Sequence, residues 1–461
     1  MFNMDYRSII LLEARQFLRG RTILVVLVSV FILGCYGLYH GRQVRDHQET
    51  VISAIPTIEQ EHTAKNISYN AGKPVGGPLY YQYFYTTNPP TPWAAFAIGQ
   101  RDVNPYHLKV KMLAIEGQLY DTDLSNPVTL LAGNLDVAFV FVFLLPLVMI
   151  VFCYNTLSGE EESGVWKIVR SMPISPVRLL AMKLAVRFLT LLVLAVFLFF
   201  TAHVWLGLPV GLTSLYMGLV LFLYLLCWFS IIAWVITWQR SSGMNAVILV
   251  SIWIGLTILL PGLANTLLNS AIPVPESFET TVAQRQGYHE KWDRPVMETM
   301  ERFYQVYPQY RNYPFSKDTF SYAWYYAMQL QGDEAAVHSS KTLFDKLGQR
   351  QLWANRVGYL LPTINAQQQL NHLARTDLAD HISYLTAVKD YHREVREYFY
   401  PYIFRHQVTE QADWLHMPVF RPKVFAAVTL PYSSLLSLFV FTIVCGGLGW
   451  RRSRRLFVQG S

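Results

Sequence analysis

Three consecutive carboxylates, Glu160, Glu161 and Glu162, are followed by Gly164, Trp166, Pro173 and Ser175. Residues of these types hold a partner rather than break a bond. The acids offer charge, Gly164 a turn without steric cost, and Trp166 a ring able to fill a partner's cleft. Between them, Val165, Ile168 and Val169 alternate with Lys167 and Arg170 at a spacing that predicts a short amphipathic helix over 165–172, ended by Pro173. A second group with chemical potential is His372, Asp377, His381 and His392. Asp377 and His381 stand four residues apart, on one face of a helix, and imidazole with carboxylate suits several divalent ions. The irregular spacing of the group and the commonness of His on solvated helices weigh the other way, so no metal is expected. Nothing points to catalysis. The Gly72-Lys73 pair runs into Pro74 where a phosphate-cradling loop needs a hydroxyl, and neither a nucleophile elbow nor an HExxH pattern occurs. No catalytic residue and no bound cofactor are expected in this chain.

Long apolar blocks must position these groups. Of the 461 residues, 52% are hydrophobic and only 15% charged, and the apolar positions gather in runs rather than in amphipathic stripes. About 20 apolar residues match the hydrocarbon core of a bilayer, in which each backbone group must be satisfied within its own helix. Six runs qualify: 22–39, 137–154, 184–205, 215–238, 246–267 and 428–450. The expected fold is an all-α polytopic membrane protein with six transmembrane helices and a mainly helical extracytoplasmic domain. The acid-rich stretch then lies in the loop 155–183 between the second and third spans. Residues 1–21, with Ile10, Ala14, Phe17 and Leu18 at helical spacing among Arg7, Arg15 and Arg19, read as an interfacial helix. Arg19 and Arg21 lead into a full span with no small-residue cleavage site, so no signal peptide is expected.

The net charge of +7 marks topology rather than nucleic-acid binding. Arg7, Arg15, Arg19 and Arg21 precede the first span, Lys167, Arg170, Arg178 and Lys183 lie in the acid-rich loop, Arg240 follows the fourth span, and Arg451, Arg452, Arg454 and Arg455 follow the sixth. All fall on one side, whereas the short loop 206–214 carries no charge, so both termini are expected in the cytoplasm. Cys35, Cys153, Cys227 and Cys445 all sit inside apolar runs, which excludes a disulfide framework outside the membrane. Away from their ends the spans hold no Asp, Glu, Lys or Arg, unlike ion-coupled carriers with midplane charges.

Two long segments, 40–136 and 268–427, face outward. Gln43 to Ile67 reads as helical with an interruption at Pro56, and the following Gly, Pro and aromatic residues read as loop. Helices are expected over 296–307, 319–357, 364–375 and 378–402, with Thr376 or Asp377 capping the last. Aromatic clusters at 80–85, 322–326 and 398–404 either pack this domain and anchor it at the bilayer or, through members such as Tyr325 and Tyr402, pass material outward. Pro146 and Pro261 are expected to kink their spans.

The loop Glu162-Ser163-Gly164, Pro173-Ile174-Ser175 and Lys183 resembles the coupling loop of ABC transporter permeases of the type-2 exporter class, with Glu161 and Val165 departing from the usual basic residue and Thr. A second likeness covers Leu361-Pro362, Asn365, Gln368 to Leu370, Leu373 to Asp377, His381 and Tyr391. It is similar to a subfamily whose large outer domain is of unknown function, with Pro362, Thr376, Asp377 and His381 as its signature. Residues 93–102 and 133–136 fit the same subfamily. The resemblance implies a permease subunit in the bacterial inner membrane, exporting a substrate with a separate cytoplasmic ABC ATPase. That ATPase would carry the ATP and Mg and press on Glu160, Glu161, Glu162, Gly164, Trp166, Pro173 and Ser175. It also implies a second permease chain, identical or similar, while the outer domain leaves room for a periplasmic partner and no nucleic acid is involved. The rival readings are a membrane-anchored assembly or sensing protein whose outer domain binds a partner, and a carrier working without ATP.

Overall fold

A computed structural model describes residues 6–120, 134–166, 175–313, 320–422 and 429–458. Among them, six helices are long and apolar enough to cross a membrane. A short helix α1 (Tyr6–Leu18) precedes α2 (Arg21–Tyr69), whose 49 residues run unbroken from the first span into the outer segment. At 1.5 Å per residue α2 is about 74 Å long. Pro56 does not interrupt it, because the proline lies on an exposed face where water can satisfy the carbonyl one turn back. Gly37 and Gly41 let other chain segments press against α2. A Cβ at Gly41 would stand 1.9 Å from the Ala95 oxygen, and one at Gly37 would stand 2.9 Å from the Asp136 backbone.

After a helical turn α3 (Gly76–Tyr81), the stretch read as loop contains an antiparallel hairpin of β1 (Phe84–Thr87) and β2 (His107–Val110), with Phe84 opposite Val110. The second span, α4, joins Val137–Phe139, a π-helical stretch Val140–Leu144 and Leu145–Cys153. The π stretch ends just ahead of Pro146. Proline has no N–H to give to the fourth carbonyl back and its ring crowds that oxygen. The freed Val142 carbonyl instead accepts from Tyr224 Oη at 2.7 Å, and Phe143 O accepts from Trp253 Nε1 at 3.1 Å.

The chain continues through α5 (Ser158–Glu162), then α6 (Pro176–Leu206) and α7 (Leu212–Ile236). The fifth span, α8, comprises Ser242–Ile254, a π stretch Gly255–Leu259 and Leu260–Ala271. Its π stretch precedes Pro261, repeating the solution found in α4.

The second outer segment holds α9 (Glu276–His289), α10 (Val296–Val306), α11 (Tyr322–Gly358), α12 (Pro362–Ala374), α13 (Leu378–Phe404) and α14 (Gln411–Leu415). The last span, α15, is Tyr432–Val458. Two apolar cores result. One, outside the bundle, gathers Phe84, Val110, Phe303, Tyr326, Val388, Phe399 and Tyr400. The aromatic clusters therefore merge largely into this core. Tyr325 is only partly exposed against Tyr80, and Tyr402 donates to Asp413 Oδ1 at 2.9 Å, so neither stands free on the surface.

The other core fills the bundle and includes four side chains of α12: Ala366, Leu370, Leu373 and Ala374. Hydropathy places this helix wholly outside, yet its first turn enters the bundle. Thr363 Oγ1 lies 3.3 Å from Tyr224 Oη, and Tyr224 is at the middle of α7. Asn365 Nδ2 donates to Ser434 O at 3.2 Å and to Ser437 Oγ at 2.8 Å on α15.

Candidate functional site

The face of the bundle that carries the termini is where the acid-rich loop folds back on the spans. The helix α5 is a single turn, and its carboxylates do not project together. Glu160 pairs with Lys183 in the second turn of α6, and Lys183 also reaches Glu13 Oε2 of α1 at 3.3 Å. Arg187, one turn further along α6, binds Glu13 Oε1 at 3.1 Å and donates to the Phe152 carbonyl at 2.9 Å near the end of α4. Its guanidinium also lies 5.1 Å from the Phe17 ring centre. Two acids and two bases, their side chains 12–19% exposed, thus alternate and satisfy one another. Such pairing is the condition for burying charge at little net cost.

Glu162 points elsewhere. It accepts from Ser242 N at 2.7 Å and Ser242 Oγ at 2.9 Å, which caps the start of α8 with a carboxylate where the helix dipole favours one. Ser158 Oγ lies 2.9 Å from Ser242 Oγ. Asn245, fully buried, donates to Tyr154 O at 3.3 Å and Arg240 O at 3.3 Å. The loop is thereby fastened to α1, α4, α6 and α8 at once.

Glu161 is partly buried, whereas Gly164 is exposed with φ +76° and open space where a Cβ would sit. Only a residue free of the left-handed penalty holds that turn comfortably. Trp166 departs from expectation. It is 8% exposed and belongs to the bundle's own core, so its ring is not presented to a partner. An indole at the membrane boundary gains more from the apolar bundle next to it than from water. Ser175 is exposed and precedes α6, with Pro176 in its first turn. Pro173, with most of the amphipathic stretch 165–172, lies outside the described residues. Sequence reasoning misses Glu13, Arg187, Ser242 and Asn245. The available signal is Lys183 and Arg187, two bases four residues apart at the mouth of an apolar run.

The signature of the domain side sits where that domain joins the bundle. Pro362 occupies the first turn of α12, in line with its fixed φ. Arg375 ends α12 in the left-handed region, and the next carbonyl, of Thr376, accepts from Gln100 N at 2.8 Å. Gly99, at φ +55°, passes so close that a Cβ would stand 2.4 Å from Thr376 Oγ1. Asp377 caps α13 through the Asp380 amide and binds His372 Nδ1 at 3.1 Å. The same imidazole meets Thr429 O at 3.0 Å through Nε2. With both ring nitrogens facing acceptors, the charged form is favoured and the His372 pKa is raised, chiefly by the Asp377 bond.

His381 lies nearby in a polar cleft with Arg101, Asn104, Arg375 and Asp380. Burial, aided by the Arg101 charge, pushes His381 down to about 4, and burial together with Asp377 pushes Asp380 up to about 7. Among the described residues, no three His, Cys, Asp or Glu side chains are placed to hold a metal ion. The signature residues join segments 88–106, α12 and α13, and serve the joint between domain and bundle.

Residues 113–261 match a family model described as ABC-2 family transporter protein, and residues 278–423 match one described as Domain of unknown function (DUF3526). No curated protein and no solved structure matches the chain. The first match covers α4 to most of α8 with the acid-rich loop in its middle, and the second covers α9 to α14 with α12 inside it. The chain is therefore a multi-pass membrane protein that carries an ABC-2 family transporter domain over 113–261 and a large domain of unknown function over 278–423.

Proposed function

We propose that this chain is the permease subunit of an exporter in the bacterial inner membrane, with both termini and the acid-rich loop in the cytoplasm and the large domain on the far side. A separate ABC ATPase, holding the ATP and Mg, docks on the loop around Glu161, Gly164 and the segment leading to Ser175. The observation that carries this reading is the fastening of the loop. Through Glu160 it is tied by Lys183 to α1 and α6, and through Glu162 to the first turn of α8. A push on such a loop is passed to three helices rather than absorbed by a flexible link. The basic residues at the same face agree with a cytoplasmic side.

The α8 helix supports a second permease chain. Gly255 and Gly262 have open space around them, and Asn265 and Asn269 are exposed on the same helix. Small residues let helix backbones approach in lipid, and polar amides gain from a partner there. Coexpression with an ATPase encoded beside the permease tests docking. An E161A/G164V double variant is expected to insert normally and to recover about tenfold less ATPase, equivalent to ~1.4 kcal/mol of interface energy. Undiminished recovery overturns the proposed docking.

A further inference from the structure

The lower end of α11 lies level with the mouths of the spans. Tyr359 Oη is 2.9 Å from Ser433 Oγ in the first turn of α15, and Tyr432 beside it packs on Tyr216 in the first turns of α7, with ring centres 6.1 Å apart. Immediately afterwards the chain turns into α12 and enters the bundle. On the opposite flank, Arg350 Nε donates to Ile272 O at 2.8 Å and Lys346 to Pro273 O at 3.0 Å, just past the end of α8. Residues 346–360 therefore stand at the boundary of the bilayer on the domain side.

Their composition fits that depth. Leu352, Trp353 and Leu360 are 61%, 48% and 74% exposed, and Leu263 and Leu267 of the neighbouring end of α8 are exposed as well. Stretch 346–360 contains Lys346, Arg350 and Arg356 and no acid, and residues 260–275 carry no charge. Lys346 and Arg350 are engaged with the end of α8, while Arg356 is exposed and lies 4.6 Å from the Trp353 ring centre. A tryptophan with its body among acyl chains and a cation stacked on it, head toward phosphate, is the arrangement favoured at a lipid headgroup. We infer that the lower end of α11 is a phospholipid-binding edge of the large domain, with Leu352, Trp353 and Leu360 seated in the domain-side leaflet and Arg356 holding an anionic headgroup. The domain is thus moored to the bilayer beside its covalent links to α8 and α15.

The test uses the full chain in lipid nanodiscs. Nitroxide labels are placed at L352C and L360C, in a background lacking the four native cysteines, with V337C on the same helix as a control about 22 Å away. Labels at 352 and 360 are expected to be relaxed more by oxygen than by a water-soluble nickel chelate, and the label at 337 the reverse. Equal, water-like behaviour at all three overturns the proposal. So does shielding from both reagents at 352 and 360, which means that protein covers the patch. In the native-cysteine background, brominated phospholipid is expected to quench a tryptophan signal that W353F removes. R356Q is expected to lower the preference for phosphatidylglycerol over phosphatidylcholine about fivefold. An unchanged preference in a chain that still folds overturns the headgroup assignment.

Discussion

Buried charge on the termini side gives Lys183 the heaviest single role. Among the described residues it is the one base touching both Glu13 and Glu160, each largely shielded. K183M strands the Glu160 carboxylate, leaves Glu13 to Arg187 alone, and is expected to destabilise the chain by about 2–3 kcal/mol. Adding E160Q removes that stranded charge and should restore part of the loss. Thermal unfolding of the purified protein in detergent measures both, and equal stability of K183M and wild type would refute the network's weight. None of this pairing is legible in the sequence, because Arg187 and Glu13 lie 174 positions apart. The acids themselves are legible, but they read as a surface for a partner when two of them are spent on fastening the loop. On the domain side, His381 gives a pH signature. Its folded pKa, near 4, lies below the ordinary value of 6.5, so its contribution to stability is complete above 6.5 and is lost as pH falls through 4. H381N does not titrate there, while Asp380 is common to both chains. Between pH 7.5 and 4.5 the variant is expected to gain about 2 kcal/mol relative to wild type, read from unfolding midpoints at the two values. No relative change would mean that the imidazole is solvated.

At the scale of helices, hydropathy announces all six spans, since a run of apolar residues with no partner but lipid has few alternatives. It does not announce where they end. Composition closes the first span at 39, but the one proline that follows, Pro56, lies on an exposed face and α2 continues to Tyr69. The short hairpin is hidden by Pro and Gly around it, and α9, rich in Glu, Thr and Gln, offers no apolar stripe. What holds α9 is close packing on α11, where a Cβ at Gly287 would stand 2.7 Å from Ala335 Cβ. The prolines of α4 and α8 are the expected kink sites, and each follows a π stretch. In α4 that geometry hands the Val142 carbonyl to Tyr224. Y224F should therefore cost about 1 kcal/mol alone, within the range of hydrogen bonds inside helix bundles. In a P146A background, where the new residue supplies the missing N–H, the same change should cost almost nothing. A double-mutant cycle on thermal stability reads the difference, and full additivity would show that the tyrosine does not serve the proline's orphan carbonyl.

For the whole molecule, the division into a membrane bundle and an outer domain is crossed by α12 as well as by the long α2. Hydropathy carries no warning of the α12 crossing, because Asn365, Gln368 and Gln369 make α12 look like a solvated helix. Inside the bundle, amides of that helix find partners: Asn365 bonds two serines of α15 and pairs with Gln369. Buried amides in such a place hold one helix in one register against its neighbours, so movement of the domain and of α7 and α15 is mechanically joined. Accessibility decides whether α12 sits there in a living membrane. Single cysteines at Val337, Thr363 and Ser163 are introduced into a chain without native cysteines, and an impermeant thiol reagent is applied to intact cells. Cysteine at 337, exposed on α11, is expected to react. Cysteine at 163, in the acid-rich loop, is expected to react only after the membrane is opened. Cysteine at 363 belongs by sequence to the outer segment, yet Thr363 is 3% exposed beside Tyr224. It should stay unreacted in both conditions until the protein is denatured. Labelling at 363 as fast as at 337 would place α12 on the domain surface and separate the two halves of the molecule.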